Sequence, residues 1–361
     1  MSANLWVSEQ AGFGAGFDEF VNIVIPRQPR TSQSLRDRMG WYLDALLARI
    51  DDGARATEEI LARWIAEART KPFFWFVNLC ECHSPYLPPR PYNDLSMIRR
   101  LLAGRDARRY MTLAAIMLVN LGALEVPERS LDRMRHLYRQ SIGLMDAWLG
   151  RILERLDDAG LLDNTEVIVT SDHGENLGEQ GRLGHAIYLD ERLIKVPFVA
   201  AGPLDLTTKG AMSLTDVPAL LGSAFGLDHP WQPHAADGVV VAQYDSFGRR
   251  DDPRVQERLG KFDLSEQSVD LLTQDVTVAV DGTWKLISSE AGELAFNLVN
   301  DPGELSPVPI DNIPTPTLQA LRAAVGRGQD RPAADQPAPP TEVPVADVAD
   351  LEERMRMLGY L

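Results

Sequence analysis

The sequence predicts an α/β layered domain with a largely parallel sheet, followed by a small antiparallel β subdomain. Three observations carry this. The short apolar runs TEVIVT (165–170), VPFVAAG (196–202) and VVVAQYDS (239–246) read as buried strands set among segments of helical spacing, the pattern of layered α/β domains. A long amphipathic stretch leads directly into the first of these runs. Past residue 270 the pattern changes, and VTVAVDGTWKLISS places Asp-Gly between two alternating runs, a strong hairpin signal.

Taken in chain order, residues 33–49 and 54–69 have helical spacing, with Thr57 as a candidate cap for the second helix. KPFFWFVNL (71–79) is continuously apolar and reads as a strand buried on both faces. The proline-punctuated ECHSPYLPPRPY follows as the loop at its end. Arg99, Arg100, Arg105, Arg108 and Arg109 could attract an anion but read better as a solvated helix face. MTLAAIMLVNLGALEV (111–126) is too short and too interrupted to cross a bilayer and reads as a buried helix.

Leu131, Met134, Tyr138, Ile142, Met145, Leu149, Ile152 and Leu156 recur at intervals of three and four, which predicts a long helix ending near Gly160. AFNLVNDPGEL adds a third strand to the C-terminal hairpin. The expected divisions are an α/β domain over 1–265, a subdomain over 266–326, an extended proline- and alanine-rich linker over 327–348 and a terminal helix over 349–361.

Composition narrows the function classes. The 361 residues are 45% hydrophobic and 24% charged, as in a globular protein. A net charge of −16 argues against nucleic acid as partner, because phosphate binding needs a basic surface. Cys80 and Cys82, two apart on an extended segment, share a face but lie too far apart for an easy bridge, so a reduced pair is expected. The opening MSANLWVSEQAGFG lacks the basic and apolar regions of a signal peptide, which gives a cytoplasmic expectation.

The chemistry concentrates at SDHGENLGEQGRLGH. Asp172 and His173 follow the run TEVIVT, at the carboxyl end of a strand, where sites collect in open α/β sheets. A carboxylate beside an imidazole suits Ca²⁺, Mg²⁺ or Mn²⁺ and, less specifically, Zn²⁺. Gly174 lets the backbone turn straight after these residues. A bare Asp-His-Gly also reads as a capping aspartate and a histidine donating to a carbonyl, so the surroundings must decide.

Those surroundings resemble the sulfatases of the alkaline-phosphatase-like superfamily. IVTSDHGENLGE, LGH and the run to VPFVAAGP resemble the family's second metal-binding segment. GFGAGFDEF, PFFWFVNLCECHSPYLPP, the long helix leading into the metal strand, WKLI, NDPGEL and LGYL resemble other family elements in the same order. The resemblance implies a three-layer α/β/α sandwich with a C-terminal antiparallel subdomain. It implies hydrolysis of sulfate, phosphate or phosphonate monoesters, on small molecules or glycans, by a covalent, metal-assisted route. It further implies that Asp172 and His173 ligate one divalent cation, Ca²⁺ first, with Mn²⁺ or Mg²⁺ as alternatives. His185 falls at a position that contacts substrate and acts on the ester, and His83 at another histidine contacting the transferred group. His83 also has the plainer reading of a hydrogen bond within its own loop.

Two parts of the family pattern are not found. No Cys/Ser-x-Pro-x-Arg string supplies a nucleophile, and none of Asp51-Asp52, Asp157-Asp158 and Asp251-Asp252 ends an apolar strand. All three read as solvated turns. The expectation is a chain truncated at its N-terminus and catalytically defective. The alternatives are a non-catalytic anion- or partner-binding protein, self-associating or complemented by another chain, and a two-metal member. The last would use Asp132 and His136, which share a helix face at i and i+4; a surface pair is the better reading there.

Overall fold

The computed structural model describes residues 1–4, 7–23, 35–68, 71–207, 210–235, 238–260 and 264–329. Among the described residues, the first third of the chain holds four α-helices: α1 (Leu35–Leu47), α2 (Ala54–Glu67), α3 (Met97–Tyr110) and α4 (Leu113–Asn120). The helix α5 (Glu128–Asp158) follows and runs for 31 residues. It ends where Gly160 adopts φ 69°, the left-handed conformation that closes a helix without steric cost. Its apolar stripe is displaced from the expected one: Leu137, Leu144 and Trp148 are buried, whereas Ile142 is 47% exposed.

The length of α5 lets one helix serve two cores. Leu131, Met134 and Leu137 pack with Trp41, Ala103, Tyr86 and Leu183. Trp148, Ile152 and Leu156, further along, pack with Leu61, Trp64 and Ile65 of α2. The α2 contact is pinned by Trp148 Nε1, which donates to Ala54 O at 3.0 Å, and by Arg151 and Arg155, which pair with Glu58. Thr57 does not cap α2. It sits inside the first turn, fully buried, and its hydroxyl donates to Gly53 O. The cap comes instead from Glu81, whose carboxylate accepts from Ala54 N at 2.7 Å.

Next come β1 (Val167–Thr170), β2 (Asn176–Leu177), β3 (Leu183–Gly184), α6 (Glu191–Ile194) and β4 (Phe198–Ala201). β1 pairs with β4 in antiparallel register, Val167 opposite Ala201 and Thr170 opposite Phe198. The parallel pairing expected of these runs is not found between them. The chain from β1 to β4 carries only the single turn of α6 and no crossover helix, so it returns antiparallel. Nor are these strands buried on both faces, since Val169 is 37% and Val199 58% exposed. Segment 71–79 is extended but holds only one bridge, Asn78 to Ser2, and Phe74 is 66% exposed.

After α7 (Val217–Ala224) the chain enters a four-stranded sheet through β5 (Val240–Tyr244), then α8 (Pro253–Leu259), α9 (Glu266–Thr273), β6 (Val276–Val280), β7 (Trp284–Ser289), β8 (Gly292–Asn297) and α10 (Thr315–Gln329). The strand order is β5-β6-β7-β8, all antiparallel. The 239–246 run therefore belongs to the C-terminal sheet and not to the first one. Asp281 and Gly282 make the predicted turn, with Gly282 at φ 93° and the Asp281 carboxylate accepting from Thr283 N and Trp284 N. α10 covers this sheet through Leu321, Ala324 and Val325. The first three residues of the expected linker complete α10; the remainder of 327–348 and the terminal helix lie outside the described residues.

The arginine-rich segment is α3. Arg100 departs from the expected solvated face: it is buried, donating to Leu95 O and Leu46 O. α4 is the buried helix expected within 111–126, shorter than the run, with Ile116 and Val119 inward. No helix among the described residues is long and apolar enough to cross a membrane.

Candidate active site

Three histidines from two separated segments converge. His83 follows the extended 71–79 run, His173 follows β1, and His185 follows β3. The His173 and His185 rings stack at 3.9 Å between centroids, and His83 lies edge-on to both, 5.0 Å from His185 and 6.2 Å from His173. The sequence-predicted site residues are thus brought to one place, with Asp172 beside His173.

Each ring has one nitrogen committed to an oxygen acceptor. His83 Nδ1 donates to Ser84 O at 2.8 Å, His173 Nδ1 to Gly174 O at 2.9 Å, and His185 Nδ1 to the Glu175 carboxylate at 2.9 Å. The plain reading of His83 as a loop hydrogen-bonder is correct for Nδ1, yet Nε2 remains available. Glu175 is itself fixed, because the buried Tyr86 hydroxyl donates to its other oxygen at 2.7 Å. Neither Glu175 nor Tyr86 was singled out from the sequence. Their only signal was adjacency, to His173 in SDHGE and to His83 in CHSPY.

The backbone supports this placement. Gly184 at φ 67° and Ile187 at φ 62° bracket His185, and a β-branched residue in that region is a strained exception of the kind found at functional loops. Gly174 is required for a reason other than the expected sharp turn: a Cβ there would lie 1.9 Å from Arg192 O. The close approach carries a hydrogen bond from Gly174 N to Leu193 O.

Electrostatics separate the imidazoles. Burial lowers His83, outweighing the pull of Glu175 and favouring the neutral ring. Burial also opposes charge on His185, but the hydrogen bond to Glu175, its charge and that of Asp172 prevail, and His185 is raised. Beneath them lie Cys80 and Cys82, both free thiols, pushed up by burial to about 12 and about 11. Glu81 is pushed up to about 7 by burial, against the Ala54 hydrogen bond. Asp51-Asp52 is not the solvated turn expected of it. Burial, then Glu81 and Asp51, drives the Asp52 carboxyl well above its ordinary value.

Asp172 and His173 fit a shared cation. His173 Nε2 lies 3.8 Å from Asp172 Oδ1, and the Asp172 side chain is mostly exposed. Two ligands at about 2.4 Å from Ca²⁺ and at right angles lie about 3.4 Å apart, so the pair needs little adjustment. The alternative pair is committed elsewhere: Asp132 to Arg135 at 3.4 Å, and His136 Nε2 to Asp94 at 2.6 Å. Among the described residues the one group of three or more potential ligands is His83, Glu175 and His185.

Residues 2–227, more than half of the chain, match the Sulfatase family model, and the chain belongs to the sulfatase family. The choline-sulfatase of Rhizobium meliloti is 25% identical over 283 residues, covering 73% of this chain and 52% of that protein. The arylsulfatase of Clostridium perfringens is 28% identical over 248 residues, covering 66% and 49%. The chain spans about half the length of these curated relatives. Among solved structures, the phosphonate monoester hydrolase SpPMH from Silicibacter pomeroyi aligns with a TM-score of 0.52 at 18% identity, covering 90% of this chain and 68% of that one. That likeness concerns the fold, which is alkaline-phosphatase-like.

Proposed function

We propose that this chain carries the cation- and ester-binding half of a sulfate or phosphonate monoester hydrolase site, and that it does not turn over substrate by itself. The observation that supports this most is the convergence of Asp172, His173, His83 and His185, from two segments, into one cluster. Asp172 and His173 would hold a single divalent cation, Ca²⁺ first, with Mn²⁺ or Mg²⁺ as alternatives. Such an ion, when bound, supplies positive charge to neutralise an anionic ester.

The chain's own residues would do the rest. Glu175 holds Nδ1–H of His185 and raises the ring, which leaves Nε2, when protonated, to donate to an ester oxygen or protonate a leaving group. His83, in its observed tautomer, offers Nε2 as an acceptor, so it contributes to anion binding by taking up a proton as the anion arrives. The nucleophile is not assigned to any residue of this chain, which is why turnover is not expected.

The test measures an aryl sulfate and an aryl phosphonate with purified protein and Ca²⁺. No turnover is expected, together with Ca²⁺ binding that Asp172→Asn abolishes. Stoichiometric hydrolysis, or Ca²⁺ binding indifferent to Asp172, would overturn the reading. A second role, pairing with another copy or with a complementing chain, is favoured by the exposed Phe74 and Phe76 on the extended segment 71–79 and by the exposed Val199 of β4. Gel filtration showing only monomer at micromolar concentration would count against it.

A further inference from the structure

We infer that His83, Glu175 and His185 form a second cation site, selective for a divalent transition metal of the zinc class and separate from Asp172–His173. A ring nitrogen of each histidine and a carboxylate oxygen of Glu175 lie within 4.8 Å of one another. Ligands about 2.0–2.1 Å from a tetrahedral zinc ion lie about 3.3 Å apart, so closing the cluster brings the ligand atoms together by up to about 1.5 Å. Two imidazoles with one carboxylate make a donor set suited to zinc, cobalt or nickel, whereas calcium and magnesium favour sets richer in oxygen.

His83 presents its ligand nitrogen ready, whereas His185 Nδ1, the nitrogen that faces Glu175, would release its proton to solvent as the ion enters between them. His83 Nδ1 donates to Ser84 O, so its Nε2 carries a free lone pair. Glu175 is 3% exposed at its side chain and is oriented by Tyr86. Such a fixed outer partner is what holds a ligand in place and raises its affinity. With neutral rings the cluster bears the single negative charge of Glu175, which attracts a cation and repels a dianion. This site goes beyond the ester-binding reading and constrains it. The metal would occupy the Nε2 lone pair of His83, so metal and ester anion compete for that ring.

The experiment uses the full chain, freed of metal, with Co²⁺ followed by visible absorption and Zn²⁺ by calorimetry. One equivalent is expected to bind, undisturbed by excess Ca²⁺. His83→Gln, His185→Gln and Glu175→Gln should each weaken binding at least about tenfold, while Asp172→Asn retains it. Circular dichroism checks each variant. Should a histidine variant unfold, Glu175→Gln decides, since its amide oxygen can still accept from Tyr86. Absence of saturable binding, survival of binding in Glu175→Gln, or loss in Asp172→Asn equal to that in His185→Gln would overturn the assignment.

Discussion

The Glu175 carboxylate accepts a hydrogen bond from His185 Nδ1 at 2.9 Å while its second oxygen accepts from Tyr86. This bridge ties the loop after β3 to the loop after segment 71–79, and it fixes which nitrogen of His185 faces the site. The histidine is raised by a partner that is nearly excluded from water. In the metal-free protein, kept so with chelator, an NMR titration of His185 should therefore give a value above that of an ordinary imidazole. Glu175→Gln removes the charge and keeps an acceptor, so the His185 value should fall. An unchanged titration would show that Glu175 does not set its charge.

Glu58 gives a pH-dependent stability with a definite sign. Burial opposes its charge, but hydrogen bonds from Arg151 and Arg155 outweigh this and lower it below an ordinary glutamate. A depressed carboxylate stabilises the fold above its unfolded value and loses that contribution as pH falls through its folded value. Glu58→Gln should cost about 0.5–1 kcal/mol at pH 7, given the partly exposed arginines. Urea unfolding at pH 7 and again well below the folded value should show the difference disappear. An equal loss at both pH values would refute the assignment.

Gly174 and Gly143 make a matched contrast. An alanine methyl at 174 meets Arg192 O, while at 143, on α5, it meets nothing within 4 Å. Gly174→Ala should destabilise by about 1–3 kcal/mol through backbone displacement and weaken Ca²⁺ binding at the adjacent His173. Gly143→Ala should stabilise by up to about 1 kcal/mol from helix propensity. Thermal melts of the two variants test both signs, and a neutral Gly174→Ala would disprove the close approach.

Lys285 of β7 is fully buried and reaches out of its own sheet. Its ammonium donates to Leu189 O at 2.6 Å and lies 2.5 Å from Glu304 and 3.5 Å from Glu191. It thus links the C-terminal sheet to the chain just past His185. Lys285→Met leaves two largely buried carboxylates facing each other and should cost about 3–5 kcal/mol. Adding Glu304→Gln should restore part of this. If Lys285→Met melts like wild type, the buried pairing does not contribute.

Much of the site was legible in the sequence because it is local. Asp172, His173 and Gly174 are consecutive at the end of an apolar run, and the resemblance to the sulfatases of the stretch that follows nominated His185 with them. Glu175 was equally visible but has no role until Tyr86 reaches it across 89 residues of chain. The Glu81 cap was missed for the same reason: Thr57 has the right residue type near the right end, but a carboxylate from a distant loop occupies the position.

By itself, the sequence determined helices α1, α2 and α5, the C-terminal hairpin and the family, since these rest on periodicity, turn chemistry and ordered motifs that act over a few residues. Tertiary structure alone decided the strand partners. An apolar run such as 196–202 or 239–246 states that it will be covered, not by what, and here β4 pairs antiparallel with β1 while β5 joins the C-terminal sheet. It also decided the hydrogen-bonding pattern of three imidazoles. That pattern depends on which oxygen each Nδ1 finds within hydrogen-bond reach, a distance the order of residues does not specify.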